Sequence, residues 1–296
     1  MCSSDLVVPT TVSGNYVLDV VGYYDDIDLT VTGDVMISAV STFEGQQVRI
    51  SSTGTMSIAI DMAVGSGTLD LSAATLSSSA KLTADNISIV AGSVSQPLRI
   101  AADAVSFTIS GQGQGLTLTD DDTVTIRDSS MNSGALSVTA PGGITLQGNI
   151  TGVASTTLTS TSAIQNTSDV RLEVSGLASF SGSSINLGTR AGDVLNFGSL
   201  AFTSSGSVTV VEDSATNLSG SSTAQSLSLS SGGSVTGTGV NLNVADAATV
   251  SGKSISLLAA AGDTLNVANN LTLSASGGGA ISIGDRKSTR LNSSHT

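Results

Sequence analysis

Apolar and polar residues alternate along this chain in short runs, and Gly, Ser, Asn and Asp separate the runs. Asp28-Leu-Thr-Val31, Gln47-Val-Arg-Ile50, Met56-Ser-Ile-Ala-Ile60, Thr68-Leu-Asp-Leu71, Asn86-Ile-Ser-Ile-Val90 and Leu98-Arg-Ile100 open the series. Leu116-Thr-Leu118, Val124-Thr-Ile126, Leu136-Ser-Val138, Ile144-Thr-Leu146, Leu227-Ser-Leu229, Leu271-Thr-Leu273 and Ile281-Ser-Ile283 continue it. A spacing of two puts the apolar members of a run on one face of a β-strand. Runs recurring at roughly ten-residue intervals, bounded by turn formers, predict an all-β protein. No helical period survives more than a turn or two.

A longer period lies over this alternation. Val170–Phe197 returns seventy residues later as Val240–Val267, without a gap and with about half its residues identical. Val170, Leu172 and Val174 become Val240, Leu242 and Val244, and Ile185 and Leu187 become Ile255 and Leu257. The turn Ala191-Gly192-Asp193, with Leu195-Asn196 after it, returns as Ala261-Gly262-Asp263 with Leu265-Asn266. Leu98-Arg-Ile100 and Phe107 form a weaker third echo of Leu172–Val174 and Phe180. A fixed long period marks a stacked array. The expected architecture is a β-solenoid, a right-handed parallel β-helix with coils of about 20–25 residues. Seventy residues then divide most simply into three coils of about twenty-three. Its Val, Leu and Ile point inward, and Ser, Thr and Asn face solvent.

The two ends change the inventory of chemistry. Met1–Leu6 and Asp285–Thr296 resemble translations of opposite strands of one short sequencing adapter. Asp-Arg-Lys-Ser-Thr can be encoded GAT CGG AAG AGC ACA, whose reverse complement in a shifted frame gives Cys-Ser-Ser-Asp, residues 2–5. Such segments are set aside from fold reasoning. The expected organisation is therefore 1–6 adapter, 7–284 one solenoid fragment, and 285–296 adapter. Residues 7–66 are expected to be the less regular part, since Tyr16, Tyr23 and Tyr24 cluster there with Asp25, Asp26 and Asp28. Cys2, His295, Arg286, Lys287 and Arg290 fall in the excluded ends, which leaves seven basic and twenty-one acidic residues.

The composition narrows the classes that remain. Aromatic residues make up 3% and charged residues 11%, against 39% hydrophobic. That apolar content separates the chain from disordered Ser/Gly sequences, and a thin core of Val, Leu and Ile suits a solenoid. The formal net charge of −13 argues against nucleic acid or anionic membrane as partner, since both need clustered Lys or Arg. No run of eighteen apolar residues predicts a membrane-spanning helix.

Without a thiol or imidazole outside the ends, Ser–His–Asp, Cys–His and histidine or cysteine zinc chemistry are excluded. Carboxylates remain. Asp120-Asp121-Asp122 with Arg127 and Asp128 is the best candidate, because Asp120 and Asp122 on one strand face would form an acid/base pair or a Ca²⁺ site. The competing reading is a solvated turn between Leu118 and Val124, and Glu212-Asp213 is read in the same way. Asp193 and Asp263 recur at equivalent turns, either as calcium ligands between coils or as Asx-turns capping their own backbone. Gly111–Gly115 is not a phosphate loop, since a strand-like run rather than a helix follows it. No residue is assigned a catalytic, cofactor-binding or metal-binding role, and no cofactor is expected.

The texture of Asn86-Ile-Ser-Ile-Val-Ala-Gly92, Gly143-Ile-Thr-Leu-Gln-Gly-Asn-Ile150 and Ser254-Ile-Ser-Leu257 resembles the filamentous-haemagglutinin-like repeat passengers of large bacterial surface proteins, secreted by two-partner or autotransporter routes. The resemblance covers nearly all of residues 7–284 and rests on repeat style. It implies a parallel β-helix stalk at the extracellular cell surface, with a role in adhesion or biofilm. The implied partners are a surface ligand (a host or matrix glycan or protein) and neighbouring coils of a longer chain. A β-helical carbohydrate-active enzyme or phage-type spike using surface carboxylates is the alternative. The two separate on whether Asp120, Asp122, Arg127 and Asp128 converge in a groove.

Overall fold

The structure, a computed structural model, describes residues 11–18, 22–24, 26–38, 41–43 and 47–284. Residues 1–6 and 285–296, and with them Cys2, His295, Arg286, Lys287 and Arg290, lie outside the described residues, as does Asp25. The described chain is all-β and folds as a β-solenoid with parallel ladders. It divides into two compact units, Met1–Pro141 and Gly142–Thr296.

In the first unit the strands stack on three sides. One side runs through Ile27–Val31, Gln47–Ser52, the start of Thr68–Ser78, the start of Asn86–Val94, and Ala104–Ile109. A second joins Tyr16–Leu18, Val35–Ile37, Thr55–Ile58 and the end of Thr68–Ser78. The third joins Gly22–Tyr24, Ser41–Phe43, Met62–Val64, Lys81–Thr83, Leu98–Ala101, Leu116–Asp120 and the end of Ser129–Thr139. The described part of residues 7–66 therefore pairs in the same three columns as the strands that follow.

The alternation explains this arrangement directly. Successive side chains of a strand point to opposite faces. In-register stacking therefore turns each apolar alternation into a continuous inward row. Ile27, Val48, Leu69, Ile87 and Val105 form one such row, and none is more than 5% exposed. Each large side chain fully buried in this way contributes on the order of 1.5–3 kcal/mol. Coils here are shorter than the expected 20–25 residues in places: Leu69 pairs with Ile87 and Ile87 with Val105, each eighteen residues on.

The second unit is built alike, with longer coils. Ile144, Ile164, Ile185, Val208, Leu227, Ala248 and Leu271 form one inward row. Leu158, Phe180 and Phe202 form another. Phe180 meets Phe197 edge-on with ring centroids 5.7 Å apart. Steps range from eighteen residues, Leu200 to Leu218, to twenty-six, Ile255 to Ile281.

The pairing corrects the expected meaning of the seventy-residue repeat. Three whole coils would place each residue in the row of its counterpart. Ile185 lies in the row of Val208, Leu227 and Ala248, whereas Ile255 stacks on Val235, in the column of Leu218 and Leu200. Leu172 lies between Ile150 and Leu195, whereas Leu242 stacks on Ser222, in the column of Phe202 and Phe180. The second copy is thus displaced by one side. Seventy residues make three coils plus one side because coils near twenty-one residues, not twenty-three, set the pitch.

One corner differs between the copies. Gly188 has φ +76°, and a Cβ there would meet the Val211 carbonyl oxygen at 2.1 Å. Its counterpart is Leu258, which holds φ 61° despite its side chain. A left-handed conformation costs a non-glycine residue about 1–2 kcal/mol.

Two outcomes test this packing by urea denaturation. Phe202→Ala, at a side chain 1% exposed, is expected to cost about 3–5 kcal/mol, and Thr203→Ala on the adjacent outward position less than about 0.5 kcal/mol. Leu258→Gly is expected to raise stability by up to about 1 kcal/mol, the left-handed strain less the chain entropy that glycine adds.

Candidate functional site

Some inward rows end at a corner in a polar residue. Ser52, Ser78, Ser160, Ser204 and Ser231 each occupy the last inward position of a side and are buried. Each hydroxyl accepts from the backbone N–H two residues on, in Gly54, Ala80, Ser162, Gly206 and Gly233 respectively. A buried N–H without an acceptor is costly, so the corner serine is the solenoid's local remedy.

Asp120 does the same work with a carboxylate. It pairs with Ile100 at the end of the inward row of Met62 and Leu82, and is 3% exposed. Oδ1 accepts the Asp122 N–H at 2.8 Å, and Oδ2 accepts the Ala102 N–H of the preceding coil at 3.0 Å. Glu212, 1% exposed, follows the inward residues Val208 and Val210. Its Oε1 accepts the Phe197 N–H and the Ser214 hydroxyl, both at 2.9 Å, and its Oε2 accepts the Thr216 hydroxyl at 2.6 Å.

The repeated turns carry matching brackets. Asp193 accepts the Arg190 N–H at 2.8 Å and, across to the preceding coil, the Val170 N–H at 2.9 Å. Asp263 accepts the Ala260 N–H at 2.7 Å and the Val240 N–H at 2.9 Å. Both are buried. The first copy adds Asn166, whose Nδ2 donates to both Asp193 oxygens at 3.0 and 2.9 Å while its Oδ1 accepts the Gly188 N–H. The Asx-turn expectation thus describes half of each arrangement, the other half being a bond between coils. These oxygens accept from the protein's own N–H groups, each carboxylate bonding both its own turn and the preceding coil.

Sequence reasoning missed a forward version of the same bracket. Asn15, Asp26, Asp34 and Asp61 each directly precede a strand, and each accepts the N–H of the register-matched residue in the following coil: Asp34, Gln47, Thr55 and Lys81, at 2.7–2.9 Å. The signal was present as an Asx residue before an apolar–x–apolar triplet, as in Asp34-Val-Met-Ile37 and Asp61-Met-Ala-Val64.

The remaining candidates disperse. Asp120 and Asp122 do not share a face: Asp120 points inward, and Asp122 is exposed in the turn after the strand. Neither is Asp120 part of a solvated turn, and the same correction applies to Glu212, although its neighbour Asp213 is exposed. Parity explains both corrections, since each acid continues an inward alternation by one step. Arg127 is exposed and donates to the Asn86 amide oxygen at 2.7 Å. Asp121 pairs with the Lys81 ammonium at 2.6 Å, which holds its carboxyl below the usual range. Asp128 is exposed. Among the described residues no group of three or more Asp, Glu, His or Cys side chains is placed to hold a metal ion. Among them, too, no helix is long and apolar enough to cross a membrane.

One side of the second unit presents an uncharged ladder to solvent. Asn186, Thr209, Ser228, Thr249 and Thr272 form one outward ladder, with Ser207 and Ser226 beside it and Val211, Ser230, Ser251 and Ser274 on the other flank. Neighbouring strands lie about 4.7–4.9 Å apart, so these hydroxyls and amides repeat at that interval. No protein family, curated protein or solved structure matches the chain.

Burial raises the carboxyl pKa values of Asp120 and Glu212 above their ordinary values of 3.8 and 4.5, against the opposing pull of their hydrogen-bond donors. An acid with a raised folded pKa favours folding while protonated, and that contribution is lost as pH climbs from the ordinary value through the raised one. Asp120→Ser, which keeps the corner acceptor, and Glu212→Gln are each expected to remove part of this loss. In chemical denaturation from pH 4 to pH 7, both variants should gain stability relative to the parent as pH rises. A parallel shift at all pH values would contradict the assignment.

Proposed function

We propose that this chain is a non-catalytic stalk segment of a large secreted bacterial surface protein, serving adhesion or biofilm formation. One observation carries the reading: the acids Asp120, Asp193, Glu212 and Asp263 face inward and bind backbone N–H groups. That leaves the Asn186–Thr272 side as a repeating lattice of hydroxyl and amide groups. Such a lattice suits hydrogen bonding to a glycan or protein of the host or matrix, where many weak contacts act together. The resemblance of the repeats to filamentous-haemagglutinin-like passengers supports the extracellular setting. The carbohydrate-active alternative rests on Asp120, Asp122, Arg127 and Asp128 converging in a groove, and the inward position of Asp120 supports the non-catalytic reading over it.

Binding and turnover on matrix polysaccharides test this reading together. The chain is expected to be retained on the polysaccharide without releasing reducing ends, and Thr209→Lys with Thr249→Lys should weaken retention at least about tenfold while leaving Tm unchanged. Release of reducing ends that Asp122→Asn abolishes would establish the enzyme instead. Retention insensitive to the paired lysines would remove the proposed face from adhesion.

A further inference from the structure

We propose that the seventy-residue segment Val170–Gly239 is a length module, a unit that the solenoid accepts or loses whole, each copy turning the following coils by one side. The inference rests on strand pairing and on contacts inside the repeat, and stands whether or not the stalk reading does.

Contacts inside a copy are conserved. Leu172 pairs with Leu195, and Leu242 with Leu265, each twenty-three residues on. Asp193 closes its copy by bonding Val170 and Arg190, and Asp263 closes its own by bonding Val240 and Ala260. One change comes as a partner pair: Phe180 and Phe197, which touch, are replaced together by Val250 and Val267.

Contacts outside a copy are less well conserved. Val170 and Leu172 stack on Gly148 and Ile150, whereas Val240 and Leu242 stack on Gly220 and Ser222, on a different side. Ala178 sits against Thr156, and its counterpart Ala248 against Leu227. One inward pattern therefore rests on sides of different composition. What it requires from the coil beneath is alternation and corner position, and the rest of its order is carried internally. A further copy joined at the same boundary meets both requirements, as does removal of one. In the shortened chain Val240 would follow Asp169 and take the place of Val170 above Gly148.

The test compares two pairs of variants of the full chain. In the first pair, a second Val170–Gly239 is inserted after Gly239, beside a control that inserts Val174–Gly239. The control keeps the inside–outside parity but moves every later corner by four residues. In the second pair, Val170–Gly239 is deleted, beside a control deletion of Val174–Gly239. We expect the seventy-residue insertion to keep the parent's β circular dichroism per residue and its Tm within about 5 °C. Small-angle scattering should show about 16 Å of added length, from three and one-third coils at about 4.8 Å each. The controls should lose more than about 10 °C or their cooperative transition. The deletion guards against local overpacking, because Phe180 of an inserted copy would stack on Leu229 where Val250 now does. In-register variants exceeding their controls in either pair support the module. Failure of both to exceed them, by aggregation, equal loss of Tm or absence of lengthening, overturns it.

Discussion

A chain that turns three corners every twenty or so residues interrupts its ladders at each corner, and the rest of this structure depends on supplying acceptors to the backbone N–H groups there. Strand centres satisfy their own backbone through parallel ladders, so apolar side chains can fill the interior there. Corners do so only in part, as Gly54 and Gly233 do through the Gly33 and Ser214 carbonyls, and a buried N–H must find an acceptor. The chain supplies that acceptor from the side chain that would otherwise be the next member of an apolar row. At Ser52, Ser78, Ser160, Ser204 and Ser231 it is a hydroxyl, and at Asp120 a carboxylate in the same place with a second bond to the preceding coil.

This division of labour accounts for much of the acidic character. A carboxylate presents two oxygens, so it can close its own turn and reach an adjacent coil at once, as Asp193 and Asp263 do. Asn15 and Asp34 do the forward version in sequence: Asn15 accepts from Asp34, and Asp34 in turn accepts from Thr55. Hydrogen bonds to a charged acceptor are about twice as strong as neutral ones. The outward ladders, relieved of this duty, are free to be Ser, Thr and Asn.

The strands and their stacking were legible because two periods, two residues and seventy, are both written in apolar positions. Asp120 and Glu212 were misread as solvated by local composition, although the parity of Leu116-Thr-Leu118 and of Val208-Thr-Val210 already pointed them inward. The rotation of the repeat was not legible. Seventy residues divide into three coils of twenty-three as readily as into three shorter coils and a side, and coil length is set by corner geometry. The backbone's left-handed turn at Leu258 was equally hidden, since only its alignment with Gly188 gives it away.

Disulfide trapping on the outward face decides the central claim, that parallel coils near twenty-one residues carry the repeat one side further at each copy. Ser256 is placed beside Thr236, twenty residues earlier, whereas three whole coils of twenty-three would place it beside Gly233. In the folded chain under mild oxidation, Ser256→Cys with Thr236→Cys should cross-link rapidly, and Ser256→Cys with Gly233→Cys only slowly. The reverse order of rates would contradict the account.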